Sequence, residues 1–392
     1  MASAHQKKYL KKLAIAIDKY WEGDEKSAII TIKQAEKDLE DNIGKQSAEN
    51  FQNSLESWLK KWRETLVGLI PQVNRHNSVA IDCFQELRPP DDSFQTSESD
   101  IIYPDELLPE DELSIVFTLY KEDKIVEAVE LLNSLREKYQ STFEENPIVN
   151  EIECDYADIR QVYRNAREKI GWNNASSGEI SVFYKSIPGT ESYSLMTEGV
   201  IETPLFHFLS IIYETDLHHT WLPFCTKSFT IANLSRTRKI IFQEFNLPFL
   251  AVRHACLYGY GANMLQTDGA VVIISKSCDR EETFKGIKLP ENLKSKRAIV
   301  HIMGTIIRPI SLNKIHVTII TNFDPVVKSL SYKILNYFSK KLAKGIFKKM
   351  TKLAQNFEGS VYEERMNNPE NKEFYDYIHQ SHLEYLNTIG CK

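Results

Sequence analysis

The chain has 392 residues, of which 42% are hydrophobic and 26% are charged. This composition excludes a wholly disordered or collagen-like protein, and the length favours two domains over one. The net charge of -6 is uneven, because residues 1–170 hold 22 basic and 34 acidic side chains and residues 171–392 hold 26 and 20. We therefore expect an acidic front domain and a mildly basic back domain.

The compartment follows from the chain start and the cysteines. The basic amino end leads into an amphipathic pattern, so we expect no secretory signal, and no apolar run is long enough to predict a transmembrane helix. Six cysteines are scattered without a C-x-x-C pair. We expect buried free thiols and a cytoplasmic protein.

The first 170 residues predict helices. Apolar residues recur three or four positions apart within 8–20, 25–39 and 48–70, the spacing of helices that bury one face. Segments 15–37 and 116–138 resemble each other and the hairpins of tetratricopeptide arrays, but they lack the ~34-residue period of such arrays, which favours a separate helical bundle. Residues 89–112 hold nine acids, four prolines and no Lys or Arg, which predicts a mobile acidic linker.

After residue 178 the pattern changes to strands. Runs rich in Val, Ile, Phe, Tyr and Thr, several of them alternating in polarity, predict an antiparallel sheet because few helices separate them. A helical stretch at 204–222 interrupts the series and another at 332–357 closes it. The predicted strands are 180–184, 192–202, 228–234, 239–246, 252–260, 270–275, 298–307 and 314–321.

Three stretches resemble one known family. Residues 238–249 (RKIIFQEFNLPF), followed by a strand that opens on Val252-Arg253-His254, are similar to the START (StAR-related lipid transfer) family. Residues 304–310 (GTIIRPI) and 318–325 (TIITNFDP) resemble its closing portion, so the likeness covers about residues 178–352. His254 departs from the family's usual Asp, and Val326 and Val327 stand where the family commonly has Gly before a Pro.

The resemblance implies an α+β helix-grip fold, in which an antiparallel sheet wraps a C-terminal helix and encloses a tunnel for one lipid. We expect an all-α domain at 1–170, the START-like domain at 178–358 and a tail at 359–392. The expected function is non-catalytic: to bind one phospholipid, sterol or ceramide and to transfer or sense it, without a cofactor. The alternative is an interaction or scaffold protein whose front helices recruit a protein partner, with a regulatory or vestigial lipid pocket.

Tunnel residues are expected on a strand pair and on the terminal helix. Arg253 aligns with the family's Arg and Glu244 lies on the preceding strand, although alternation alone does not show which strand face looks inward, and Arg253 could instead pair with a surface acid. The helix predicts an apolar stripe with four-residue spacing. The expected lipid-binding residues are Arg253, Glu244, Phe338, Leu342 and Ile346.

A peripheral membrane contact is expected beside the tunnel mouth. An apolar loop between two strands is unusual at a water-exposed surface, and lysines on the terminal helix would attract anionic lipid. The expected contact residues are Leu247, Phe249, Leu250, Lys341, Lys344 and Lys348.

Other chemistry finds little support in the sequence. Gly259-Tyr260-Gly261 lacks the third glycine of a nucleotide loop, and no nucleophile elbow or Walker loop occurs. His218 and His219 fit no zinc spacing, and His379 with His382 predicts a surface pair. We therefore expect no enzyme, no metal and no nucleic-acid partner.

Overall fold

The computed structural model describes residues 109–140, 145–187, 193–246, 252–278, 282–291, 293–324 and 332–390, with residue 143 and a few single residues between 12 and 34. Those single residues are helical and fall in the first two predicted front helices. The predicted helix at 48–70 and the acidic linker up to residue 108 lie outside the described residues.

Between residues 109 and 168 the chain forms α1 (Pro109–Lys121), α2 (Ile125–Tyr139) and α3 (Pro147–Glu168), which lead into the sheet. The side chain of Asn146 caps α3 by accepting from the backbone N–H groups of Ile148 and Val149, and a proline occupies the first turn. The last four residues of the predicted acidic linker, 109–112, are therefore the first turn of α1.

One large sheet follows, with the strand order β1-β2-β3-β12-β11-β7-β6-β5-β4. Every neighbouring pair in this order is antiparallel, while the short β10 pairs with β6 in parallel and β8 pairs with β9 in a separate hairpin. The strands are β1 (Asn173–Ser176), β2 (Ile180–Ser186), β3 (Tyr193–Ile201), β4 (Cys225–Asn233), β5 (Lys239–Phe245), β6 (Arg253–Met264), β7 (Ala270–Ser277), β8 (Thr283–Phe284), β9 (Ile287–Lys288), β10 (Lys296–Arg297), β11 (Ile299–Ser311) and β12 (Lys314–Asp324).

The remaining helices cover one face of this sheet and its ends. The long α7 packs on β2, β3 and α4, and buried Thr203 donates to the carbonyl of Ala354 at 3.0 Å near its C-terminal end. These helices are α4 (Leu205–Tyr213), α5 (His218–Trp221), α6 (Leu265–Asp268), α7 (Tyr332–Gln355), α8 (Val361–Met366) and α9 (Pro369–Thr388), with a 3₁₀ turn at Thr215–Leu217. No described helix has the length and apolar character needed to cross a membrane.

The outer face of the sheet, which we define as the face covered by α1–α3, is sealed. Val272, Ile274 and Ile306 have no exposed surface there and belong to one core with residues of all three helices. Gly304 allows α3 to approach closely, because any Cβ at this position would overlap the side chain of Val162. The helices at 109–168 and the sheet thus share a core, which differs from the expected division near residue 170; for residues 1–108 that division stays a prediction.

Buried polar groups also join the helices to the sheet. Asp123, at the α1–α2 turn, pairs with the guanidinium of Arg238 at 2.6 Å, and both side chains are almost completely buried. Asp155 on α3 accepts hydrogen bonds from Tyr120 at 2.8 Å and from Tyr258 on β6 at 2.7 Å. These bonds satisfy charges that would be costly to bury alone.

The residues of the expected C-terminal tail form the helices α8 and α9, which pack against the rest of the domain. Helix α9 packs on α4, α6 and β11, and Phe374, Ile378 and Leu386 are buried on one of its faces. His382 lies on that face with no exposed surface, so the prediction of a surface pair with His379 is wrong for His382. Its apolar neighbours on the helix explain the burial, because they carry that face into the core.

Candidate functional site

The inner face of the sheet, covered by α4, α7 and α9, is sealed at the end that faces α4. There Ile307, Ile315 and Val317 are fully buried in a core with Phe347 of α7 and Phe208 of α4. Gly199 on β3 lets the ring of Phe347 approach, since a Cβ would lie 3.2 Å from it. The terminal helix is thus fixed against β3 at this end.

Farther along the same face the side chains are only partly buried. Ile273, Met303 and Ile319 remain partly exposed although β7, β11 and β12 are central strands. On the outer face of these strands Val272, Ile306 and Ile320 are 0–3% exposed. Apolar surface therefore stays open on the inner face, where a ligand could cover it.

The inner face around the middle of β5 carries one uncharged amide among hydroxyl and apolar side chains. Gln243 stands opposite Ser228 on β4 and Ala255 on β6, and the next inward row holds Ile241 and Leu257. The hydroxyl of Ser228 donates to the carbonyl of Thr215 at 2.5 Å, and this bond attaches the turn after α4 to the sheet.

Gln243 is fixed by a histidine. Nε2 of His218 lies 3.1 Å from the carbonyl oxygens of both Ile211 and Ile212, so this nitrogen carries the proton because a carbonyl only accepts. Nδ1 then accepts from the side-chain amide of Gln243 at 2.8 Å. Burial lowers the pKa of His218 to about 4, which keeps the ring neutral near pH 7.

The two predicted polar residues lie on different faces. Arg253 opens β6 opposite Phe245, in the inner-face register of Gln243, and is 5% exposed; it interacts with other groups of the protein. Glu244 shares the outer face with Phe242 and lies 3.7 Å from the ammonium of the exposed Lys227. The structure therefore places Arg253 on the inner face and Glu244 on the outer face, and a lipid role for either stays a prediction.

The apolar face of α7 is turned slightly from the predicted stripe. Leu342 and Ile346 are half-buried, and the side chain of Phe338 lies outside the described residues. The fully buried residues are Phe347, Met350 and Ala354, which follow alternating steps of three and four. This spacing was visible in the sequence, and it identifies the core face better than a strict four-residue repeat.

The predicted membrane contact is only partly described. Residues 247–251 lie outside the described residues, so Leu247, Phe249 and Leu250 remain predictions. Lys341 and Lys344 are partly buried and Lys348 is exposed; the helical spacing sets these lysines on the side of α7 opposite Leu342 and Ile346. The ammonium of Lys340 lies 3.4 Å from the ring centre of Tyr184 on β2.

Cysteines near the site are not reactive. Cys225, Cys256 and Cys278 are buried free thiols, as the sequence predicts, while Cys154 is exposed. Burial raises the pKa of Cys225 to about 12, so its thiol stays protonated and is a poor nucleophile.

Several solved structures similar to this chain are of StAR-related lipid transfer proteins. Human STARD10 is 18% identical over 51% of this chain and 80% of its own, with a TM-score of 0.45. Human StAR-related lipid transfer protein 5 is 14% identical over 52% of this chain and 96% of its own, with a TM-score of 0.46. The lipid transfer and protein localization domain of human StarD13 is 19% identical, covers 50% and 95%, and has a TM-score of 0.40.

No family model and no curated protein matches the sequence. The START resemblance predicted from the sequence is nevertheless found among solved structures. The helix-grip fold itself is read from the strand order and from the contact of α7 with β2 and β3.

Proposed function

We propose that this protein binds one lipid molecule between the inner face of the sheet and α7, and transfers it between membranes or senses it without chemical change. The supporting observation is the contrast between the two faces of the central strands. Ile273, Met303 and Ile319 keep accessible apolar surface on the inner face, whereas the outer face is sealed. Covering such surface with a lipid chain gains about 0.8 kcal/mol per methylene.

The proposed site of lipid entry is the part of the surface that contacts the membrane. We propose that Leu247, Phe249 and Leu250 insert into the membrane beside Arg253, and that Lys341, Lys344 and Lys348 add attraction to anionic head groups, about 1 kcal/mol per lysine near the surface. The protein partner that the front helices could recruit remains the alternative, and no contact of the described residues favours it.

Lipid exchange between vesicles tests the proposal. Labelled lipid should move from donor to acceptor vesicles when the full chain is added, and native mass spectrometry should detect one lipid per protein. A protein that neither carries lipid nor exchanges any lipid class would contradict the proposed function.

A paired variant tests the entry site. Phe249→Asp with Leu250→Asp should reduce vesicle binding and exchange, because each apolar residue contributes about 1.5–3 kcal/mol when fully buried. Leu312→Asp is the control, since Leu312 is an exposed apolar turn residue at the opposite end of the sheet from Arg253. Equal exchange by both variants, with unchanged melting temperatures, would place lipid entry elsewhere.

A further inference from the structure

The hydrogen bonds around Gln243 determine which way its amide points. His218 presents an unprotonated Nδ1 because its Nε2–H is directed at the carbonyls of Ile211 and Ile212. The atom of Gln243 that faces Nδ1, at 2.8 Å, must therefore be the amide nitrogen. Among the described residues, the carbonyl oxygen Oε1 and the second N–H of Gln243 have no hydrogen-bond partner.

The groups beside Gln243 have other partners or are apolar. Ser228 gives its hydroxyl hydrogen to the carbonyl of Thr215, and Ala255 offers only a methyl group. Ile241 and Leu257 form the next row and pack together with Met303. The amide, which is only 6% exposed, thus lies beside a buried apolar row that leads to the partly exposed Met303.

This setting favours an uncharged ligand group over a phosphate. A hydroxyl both donates and accepts, so it can give its hydrogen to Oε1 and accept from the second N–H of the same amide. A phosphate at this place would lose its water to one N–H donor, which costs several kcal/mol, and the guanidinium of Arg253, two residues before Ala255 on β6, already interacts with other groups of the protein. A lipid carrying a free hydroxyl on an otherwise apolar body matches both the amide and the apolar row.

We propose that Gln243, oriented by His218, is the specificity-determining residue that selects an uncharged lipid with a free hydroxyl, such as a sterol, a ceramide or a diacylglycerol. The proposal rests on the proposed lipid-binding function and names the ligand class of that same site. Gln243 contacts the hydroxyl directly, and His218 is a positioning residue that keeps the amide from rotating.

Lipid extraction from vesicles tests the proposed ligand class separately from the proposed lipid-binding function. The full chain is incubated with phosphatidylcholine vesicles that contain radiolabelled cholesterol, ceramide, diacylglycerol or phosphatidylcholine, and the protein-bound label is counted after gel filtration. We expect at least one hydroxyl lipid to be retained about tenfold better than phosphatidylcholine, the ratio that one well-formed hydrogen-bonded contact produces. Retention of phosphatidylcholine above all three hydroxyl lipids would overturn the ligand class while leaving lipid binding intact; no retention of any label would overturn the proposed function itself.

Two further measurements assign the selection to Gln243. Gln243→Leu should lose about tenfold in retention of the hydroxyl lipid and leave phosphatidylcholine unchanged. Gln266→Leu is the matched control, because Gln266 is an exposed amide on α6 outside the inner face. Equal retention by the two variants would overturn the role of Gln243.

A blocked ligand keeps the test valid if Gln243→Leu does not fold. The wild-type chain should retain the methyl ether of the preferred hydroxyl lipid about tenfold less well than the free hydroxyl form, since the ether cannot donate to Oε1. Equal retention of ether and alcohol would show that no acceptor reads the hydroxyl, and would refute the proposal.

Discussion

Buried His382 implies that the fold loses stability in mild acid. Its side chain has no exposed surface, and neither ring nitrogen has a hydrogen-bond partner among the residues that the structure describes. Burial, with a smaller contribution from His379, lowers the pKa of His382 to about 4. The folded state therefore favours the neutral ring, whereas the unfolded chain takes up a proton near pH 6.5.

The size of the effect follows from linkage between protonation and folding. A base whose pKa is lower in the folded state contributes stability that is complete above the unfolded pKa and is lost as the pH falls toward the folded pKa. For a group that titrates at 6.5 when unfolded and at about 4 when folded, the loss between pH 7 and pH 5 is about 2 kcal/mol. His218 should add a similar loss, because burial also lowers its pKa to about 4.

The variant His382→Leu isolates this contribution. The unfolding free energy of this variant and of the wild type is measured at pH 7 and pH 5 by urea unfolding followed by circular dichroism. The decrease from pH 7 to pH 5 should be about 2 kcal/mol smaller in the variant than in the wild type. His379→Leu is the control, because His379 lies one turn earlier on α9 and is exposed. If His382→Leu kept the full pH dependence, the buried neutral ring would not be its source.

Three further predictions concern the joint between the helices and the sheet. Gly304→Ala should lower the unfolding free energy by about 1–3 kcal/mol, because the new methyl overlaps the side chain of Val162 on α3. Gly261→Ala should change the unfolding free energy little in the same urea titration, because the nearest neighbours of its Cβ lie at 3.7 Å and beyond. Asp123→Asn should cost about 3 kcal/mol because it leaves the buried charge of Arg238 without its carboxylate, and wild-type stability in urea would disprove this. A fragment of residues 169–392 should aggregate or melt without cooperativity, whereas residues 109–392 should melt in one transition by calorimetry; a cooperative melt of the shorter fragment would show that the sheet folds without α1–α3.

Strand composition carried most of the information about the sheet. The predicted strands 239–246 and 314–321 correspond to Lys239–Phe245 and Lys314–Asp324, since β-branched and aromatic residues are dense there and turn residues bound them. The edge strand Asn173–Ser176 was missed, because its polar residues are typical of a turn and its pairing with β2 supplies what its composition lacks.

On the C-terminal helix α9, one histidine interrupts the apolar pattern that would predict a buried face. Phe374, Ile378 and Leu386 recur every four residues, and His382 occupies the remaining place in that series. A histidine at that place breaks the apolar stripe, so the segment resembles a polar tail, and only the neighbouring helices explain why the ring is buried.

The site could be predicted only in outline, because a sequence does not show which distant residues meet. Alternation on β5 puts Gln243 and Glu244 on opposite faces of the sheet, but it does not reveal which face is covered by α1–α3. That cover decides which of the two residues lies on the inner face. The contact between His218 and Gln243 joins residues 25 positions apart. Neither residue type at its place signals binding by itself.

The sealed outer face also bears on how the acidic front half relates to lipid binding. Helices α1–α3 bury the outer side chains of β6, β7 and β11, so the sheet has accessible apolar surface in its centre on the inner face alone, as far as the described residues extend. Asp123 binds Arg238 and the backbone N–H of Thr237 in the turn that leads into β5, the strand that carries Gln243. The helices therefore hold the strand on which ligand selection depends, and loosening them by Asp123→Asn should impair lipid retention as well as stability.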